Sequence, residues 1–340
     1  MEIHWHTRSK RLFQSISNLR LSQRANGGNA YDFAAAQALR SKYDVRVQSK
    51  AVQLIDENFL GYLLRYRRVR HSEDAIHILE PYPIAFGSLI GRASRIGIIH
   101  HIDTKAAKES LKHRLFFFLL MRQLRKMDVV VTVSKLWRDY LLKNGCRTVE
   151  IIYNSFNAKD YNFTADELRM FKTELGLISG RRLIYIGNAG NGKGVHKVYK
   201  ELKDTGYEMV MTGAKNDAED LPIKYFNLES LEYRKLIASC DVVLAMSNMV
   251  EGWNRIAHEA MLSKVPVIGS GSGGMRELLQ NGQQVICSDF SKLKSELEYV
   301  LSNKEELGMR GHAFVERLNE EYFRNAWLEI IEKVKTQGKS

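Results

Sequence analysis

Short apolar runs recurring at helix-length intervals restrict this chain more than any other feature. In its second half LIYI (Leu183–Ile186), EMVM (Glu208–Met211), DVVLA (Asp241–Ala245), VPVI (Val265–Ile268) and QVIC (Gln284–Cys287) read as strands. Amphipathic segments such as Ser230–Cys240 and Asn254–Leu262 lie between most of them. Strands apolar on both faces and joined through helices imply a parallel sheet covered on both sides. The first half repeats the pattern less cleanly. Its candidate strands are Glu2–His6, Asp44–Gln48, Ala75–Leu79, Ile96–Ile102, Asp128–Val133 and Val149–Tyr153, with a helix at Tyr31–Leu39. Ala51–Arg70 has no readable period. The polar, strand-poor stretch Asn157–Arg182 separates the halves, and Gly311–Lys335 carries Phe314, Leu318, Tyr322, Trp327, Ile331 and Val334 at helical spacing. The expected architecture is α/β: two doubly wound parallel-sheet domains, with a ligand cleft at the carboxyl ends of their strands.

Composition narrows the class. A chain of 340 residues has room for two domains, and four prolines without a low-complexity tract exclude a disordered or collagenous protein. The longest apolar run, Leu115–Met121, is far shorter than the ~20 residues of a membrane-spanning helix. The N-terminal MEIHWHTRSKR lacks the apolar stretch of a secretory signal. Cys146, Cys240 and Cys287 are isolated, so no disulfide framework or zinc site is expected, and a reducing cytoplasmic setting fits best. Charge is distributed unevenly. Residues 1–175 carry 29 Lys and Arg against 17 Asp and Glu, the whole net +12 of the chain. The first half therefore suits an anionic partner: a membrane surface, a lipid-phosphate acceptor or nucleic acid.

Three glycine motifs compete for attention. Gly269-Ser-Gly271-Ser-Gly273-Gly274 has the spacing of a dinucleotide fingerprint with Asp289 twenty residues on, but the helix that follows is cut short at Asn281-Gly282. Gly187-Asn-Ala-Gly-Asn-Gly192-Lys193 nearly matches a P-loop, yet Gly194 stands where the magnesium-binding Ser or Thr belongs. A strand emptying into a glycine turn with a lysine still offers N–H groups and a cation to phosphate. A solvated loop lysine is the plainer alternative. Gly27-Gly28, ahead of the first clear helix, would let a ligand's phosphates approach the backbone.

Glu251 and Glu259 stand eight positions apart, one before a helix and one inside it, roughly 12 Å along its axis. Glycosidase carboxylates sit closer, at ~5–9.5 Å. This spacing suits a ligand with two sugar rings flanking a diphosphate, whose phosphates would take the helix N-terminus. The alternative is a capping acid and a solvated helix residue. The string EGW…HEAM…VPVIGS…GGMREL around this E-x7-E motif resembles retaining glycosyltransferases of the GT-B fold, glycosyltransferase family 4. Asp128–Ser134, Tyr153–Asn157 and Gly187–Gly194 match weaker family segments in the right order, so the resemblance covers nearly the whole chain.

The resemblance implies a first domain over 1–172 on the acceptor side, a nucleotide-sugar domain over 173–318, and a closing helix over 319–340 that packs back on the first domain. It implies transfer of a sugar from a UDP- or GDP-sugar to a hydroxyl, with retention, no metal and no cofactor, in polysaccharide, lipopolysaccharide or glycolipid assembly. Glu251 would orient the transferred sugar and Glu259 would bind the ribose. Lys193 would neutralise the leaving phosphates. Amides near Gly27, Gly28, Gly187, Arg255 and Ile256 would donate to them. Asn188 stands where the family usually has an arginine, and Asn254-Arg255 replaces a commoner glycine and apolar residue. Arg255 is the candidate to replace the lost cation or to read an unusual sugar. His101, read as the end of strand IGIIHHI, would lie near the transferred sugar, with His100 on the opposite face.

The acceptor would be a glycan or lipid-linked sugar. Lys105, Lys108, Lys112, Arg122, Arg125 and Lys126 bracket LFFFLLM, and Arg65, Arg67, Arg68 and Arg70 form a second cluster. The apolar run reads first as a helix buried in the core, while the charge excess favours peripheral contact with the cytoplasmic face of a membrane. No stacking aromatics interleave with these clusters, so nucleic acid is not the expected partner. An epimerase or phosphorylase of the same fold is the rival enzyme.

Overall fold

The computed structural model describes residues 1–21, 27–48, 59–66, 71–87, 91–103, 110–177, 180–189, 192–213, 218 and 220–337. The chain divides into two compact units, Met1–Ser155 with Glu320–Ser340, and Phe156–Asn319.

Unit 1 is built on six strands: β1 Glu2–His6, β2 Asp44–Val47, β3 Ala75–Leu79, β4 Ser94–Ile99, β5 Val129–Thr132 and β6 Val149–Ile151. They form one parallel sheet in the order β2-β1-β3-β4-β5-β6. β3 (AIHIL) and β5 (VVVT) are buried at every position, as strands covered on both faces must be. On one face the helices Phe59–Tyr66, Pro81–Phe86 and Leu111–Leu124 enclose a core of Tyr62, Tyr66, Ile84, Phe86, Leu120 and Leu124. The helix Glu320–Gln337 also belongs to this unit, where the fully buried Trp327 ring lies 6.5 Å from Trp5 and 6.4 Å from Tyr31.

Unit 2 carries β7 Leu183–Asn188, β8 Glu208–Thr212, β9 Lys224–Phe226, β10 Val242–Ala245, β11 Val267–Gly269 and β12 Val285–Ile286. Its parallel sheet runs β12-β11-β10-β7-β8-β9. The order reverses at the pair β7/β10, and in unit 1 it reverses at β1/β3. Such switch points are where loops diverge to opposite faces and leave a crevice at the strands' carboxyl ends.

Three expectations change. The closing helix is not continuous from Gly311 to Lys335. It breaks at 316–319 into Lys304–Val315 in unit 2 and Glu320–Gln337 in unit 1. The apolar stripe looked continuous because it serves two cores: Gly308 and Gly311 bring the first piece against Lys264 and Met261, while Phe323 and Trp327 fill unit 1. The stretch 156–172, placed in the first domain from sequence, packs in unit 2, where the helix Ala165–Glu174 lies against Ser230–Ser239. Strand β4 stops at Ile99, so His101 lies beyond it rather than closing it. Of the basic clusters, Lys105, Lys108, Arg67, Arg68 and Arg70 lie outside the described residues.

Candidate functional site

At the unit 2 switch point the loops after β7 and β10 meet. Lys193 Nζ donates to Glu251 Oε1 at 2.7 Å, with 31% and 15% of the two side chains exposed. Two residues 58 apart in sequence are paired because their strands are neighbours. Gly194 shows why the P-loop hydroxyl is absent. Its backbone is left-handed at φ +79°, and a Cβ there would stand 2.2 Å from the Met246 carbonyl oxygen. The neighbouring Gly192 carbonyl accepts from Asn248 N at 2.8 Å, tying the two loops together.

The third glycine run also has a structural use. Gly273 (φ +71°) lies against the backbone of Glu251, so that a Cβ would come 2.3 Å from its oxygen and 2.5 Å from its nitrogen. The two residues form an isolated parallel bridge, and Gly274 N donates to Glu251 O at 2.8 Å. The apparent dinucleotide fingerprint therefore fixes a carboxylate.

The helix Arg255–Leu262 opens with Asn254 as its cap, whose side-chain oxygen accepts from Ala257 N at 2.9 Å. The first-turn amides of Arg255 and Ile256 have no intrahelical acceptor and form the positive end of the helix dipole. Glu259, one turn in, accepts from Tyr161 Oη at 3.1 Å and from Tyr233 Oη at 3.2 Å, one phenol per oxygen. A carboxylate has about four lone-pair directions, so two remain for a ligand. Desolvation holds the Glu259 carboxyl above its usual range, against the lowering effects of Arg255 and the two phenols. The Arg255 guanidinium lies 4.3 Å from the Phe156 ring centroid.

Unit 1 has its own edge at β1/β3. Thr7 Oγ1 donates to Glu80 Oε2 at 2.8 Å and Trp5 Nε1 to Oε1 at 3.4 Å. Burial, followed by the nearby Asp32 charge, pushes the Glu80 carboxyl well above its usual range. Arg8 lies over Tyr82, 4.6 Å from its centroid. Just past β4, His100 Nε2 is 3.0 Å from the buried Asp32 Oδ1, and the neighbouring Tyr31 ring stands edge-on at 4.9 Å.

Among the described residues one cluster has metal-ligand chemistry: His6, His71 and His77, all buried. Its geometry fits a hydrogen-bonded relay better than an ion. The His71 and His77 rings stack at 4.4 Å and 13°, so their in-plane lone pairs run side by side instead of converging. Arg95 Nε donates to His71 Nδ1 at 3.1 Å, which puts a guanidinium beside any bound cation. His77 Nε2 reaches the Ser72 carbonyl at 2.9 Å and must donate. Its Nδ1 then accepts from His6 Nε2 at 2.9 Å, and His6 Nδ1 accepts from Tyr66 Oη at 2.7 Å. Every ring in that chain is a neutral tautomer. Burial accordingly lowers His77 to about 4 and His71 to about 3.

Two family profiles match the sequence. Residues 28–160 match Glycosyltransferase Family 4, and residues 178–311 match Glycosyl transferases group 1. The chain belongs to the glycosyltransferases of the GT-B fold. An uncharacterized glycosyltransferase of Methanocaldococcus jannaschii is 23% identical over 248 residues, 65% of this chain and 63% of that protein. The O-antigen chain mannosyltransferase RfbU of Salmonella typhimurium is 24% identical over 212 residues, 57% of each chain. The matches thus span less than two thirds of either relative. Among solved structures, Anabaena HepE in complex with UDP superposes at a TM-score of 0.70, with 16% identity, over 97% of this chain and 99% of that one. Sucrose-phosphate synthase from Thermosynechococcus elongatus gives 0.77, with 14% identity, over 99% and 100%.

Within this GT-B chain, five of the residues singled out from sequence gather in two groups on unit 2: Lys193 with Glu251, and Asn254, Arg255 and Glu259 on one helix. Ile256 adds only its amide. Gly187 (φ +122°) lets β7 turn away past Val195. Asn188 instead packs over Gly213, where a Cβ would overlap its side-chain amide. Gly27 and Gly28 form the first turn of the helix Gly27–Arg40 in unit 1, not a loop ahead of it. His101 is exposed, whereas the discounted His100 holds the buried carboxylate partner. Glu80, Asp32, Tyr161 and Tyr233 were missed. Glu80 alone left a local sign, an acid placed directly after the apolar run AIHIL.

Proposed function

We propose that the protein transfers a glycosyl group from a nucleotide diphosphate sugar to a hydroxyl acceptor, with retention of anomeric configuration. The observation that carries the reading is the pairing of Lys193 with Glu251 at the switch point, followed by a helix whose N-terminal end and Glu259 come next in the chain. Lys193 and the amides of Arg255 and Ile256 offer fixed positive charge to a departing diphosphate without reorganising, which lowers the barrier where charge develops. Glu251, held by Gly273, is placed to take hydroxyls of the transferred sugar. The two open lone-pair directions of Glu259 suit the two hydroxyls of a ribose. These groups supply the charge stabilisation themselves, so the reaction is assigned no metal. Glu80 and the Asp32–His100 pair on unit 1 are assigned to the acceptor hydroxyl. UDP in the HepE complex and mannosyl transfer in the RfbU name support UDP- or GDP-sugars as donors.

The test is incubation with UDP-glucose and GDP-mannose over a panel of glycan and polyprenyl-linked acceptors, with product anomers assigned by NMR. A glycoside of the donor's configuration, formed equally well with EDTA, is expected. Donor turnover that needs no acceptor would instead indicate an epimerase, and an inverted product would overturn the retaining assignment.

A further inference from the structure

The apolar run Leu115–Met121, expected inside the core, is only half buried. The helix Leu111–Leu124 turns Leu120, Met121 and Leu124 inward, and Phe116 rests 4.7 Å from Tyr82. Leu111, Leu115 and Phe118 face outward, 82%, 45% and 59% exposed. At 100° per residue Leu111, Leu115, Phe118 and Arg122 fall on one line of the helix. Exposed Lys112, Arg114, Arg122, Arg125 and Lys126 stand along this stripe, and no acidic residue occurs between Glu109 and Asp128. At the helix's carboxyl end Arg125, Lys126 and Arg147 line a cavity of about 410 Å³. Its one acid, Asp128, is already engaged by Arg95 N at 2.7 Å. In the same helical layer Leu64, 59% exposed, sits beside exposed Arg65.

We propose that this helix seats unit 1 on an anionic lipid bilayer, its Leu111–Leu115–Phe118 stripe in the headgroup–acyl boundary and a lipid phosphate in the Arg125–Lys126–Arg147 cavity. An apolar line flanked by long cationic side chains matches that boundary: the rings and methyls leave water while the cations stay at headgroup level. The charge decides among occupants. A second copy of the chain would set five like charges against five, and a nucleic acid would give the central leucines and phenylalanine nothing apolar to cover. Among the described residues no helix is long and apolar enough to cross a membrane, so contact of this kind is confined to the surface.

The proposal goes beyond the transfer reading and stands without it, because vesicle binding needs no donor. Flotation with phosphatidylcholine vesicles, with and without phosphatidylglycerol, is the test. Binding is expected only where phosphatidylglycerol is present, and it weakens as salt rises. Leu115→Ser/Phe118→Ser should partition at least about tenfold less, since two large apolar side chains no longer leave water. Arg114→Glu/Arg122→Glu should lose the preference for anionic lipid. All four side chains are exposed, so these variants keep the wild-type melt. Lys193→Ala should bind vesicles as wild type does, which separates this claim from the catalytic one. Equal binding to both vesicle types, wild-type partitioning of the serine variant, or a dimer abolished by that variant would overturn the assignment.

Discussion

Gly273→Ala probes the idea that the glycine-rich loop after β11 exists to fix Glu251. The added Cβ would meet the Glu251 backbone oxygen at 2.3 Å and its nitrogen at 2.5 Å, both main-chain atoms that cannot rotate away. The left-handed backbone at φ +71° costs a non-glycine residue about 1–2 kcal/mol. Pushing Glu251 aside also forfeits the Gly274 N to Glu251 O hydrogen bond, about 1 kcal/mol. Unit 2 should lose about 2–3 kcal/mol, a fall in melting temperature of about 4–12 °C. The Lys193–Glu251 contact is displaced as well, and a charge-assisted bond of ~1.5–3 kcal/mol predicts a loss of donor affinity of about ten- to 150-fold. Differential scanning fluorimetry and donor titration read the two effects. Gly271→Ala is the control. Its backbone is also left-handed, at φ +68°, but its Cβ meets only the side chains of Ile286 and Arg276. It should lower the melt and leave donor affinity unchanged. If Gly273→Ala matched Gly271→Ala in donor affinity, the loop would have no role in placing Glu251.

Two further outcomes follow from the buried titratable groups. Glu259 has its carboxyl raised in the folded state, so the native protein holds this proton to higher pH than the unfolded chain does, and ionisation at neutral pH costs stability. Glu259→Gln should therefore raise the melting temperature at pH 7 while weakening donor binding by about tenfold or more through the lost charge-assisted bonds; a lower melt with unchanged binding would refute the ribose assignment. The relay in unit 1 behaves oppositely. His6, His71 and His77 are lowered when folded, so their stabilisation is complete above the ordinary histidine value of 6.5. It is lost as pH falls from there toward about 4, by about 1.4 kcal/mol per pH unit for each ring that stays neutral. Urea melts of unit 1 tryptophan fluorescence at pH 7 and pH 5 should show this fall; stability unchanged over that window would mean that the rings take up protons equally in the folded and unfolded chain.

What was legible in the sequence is what local order writes there. β3 coincides with the run Ala75–Leu79, buried at every position, and β1 with Glu2–His6, where Ile3 and Trp5 on one face are fully buried between partly buried Glu2 and His4. The helix Arg255–Leu262 showed itself through the amphipathic spacing of Asn254–Leu262. Long-range partners leave no such trace. Tyr161 and Tyr233 reach Glu259 from 98 and 26 residues away, and Asp32 reaches His100 across 68, so nothing local marks them. The glycine motifs were set aside as a dinucleotide site and a P-loop, but their actual use was not legible, for a related reason. A pattern of glycines records close approach but not what approaches: at Gly273 it is the Glu251 backbone, and at Gly194 the Met246 carbonyl. The run LFFFLLM gave the right helix and the wrong burial, since hydropathy alone does not say whether an apolar face meets a core or a partner.

The central claim is that Lys193 neutralises the diphosphate of a nucleotide sugar. Calorimetric titration of wild type and Lys193→Ala with UDP and UMP, and with GDP and GMP, isolates it, since each pair differs by the one phosphate the ammonium is meant to hold. Wild type should bind the preferred diphosphate well above its monophosphate, and Lys193→Ala should weaken that diphosphate by about ten- to 150-fold while barely changing the monophosphate. A lysine variant that keeps the wild-type ratio of diphosphate to monophosphate affinity would contradict the account.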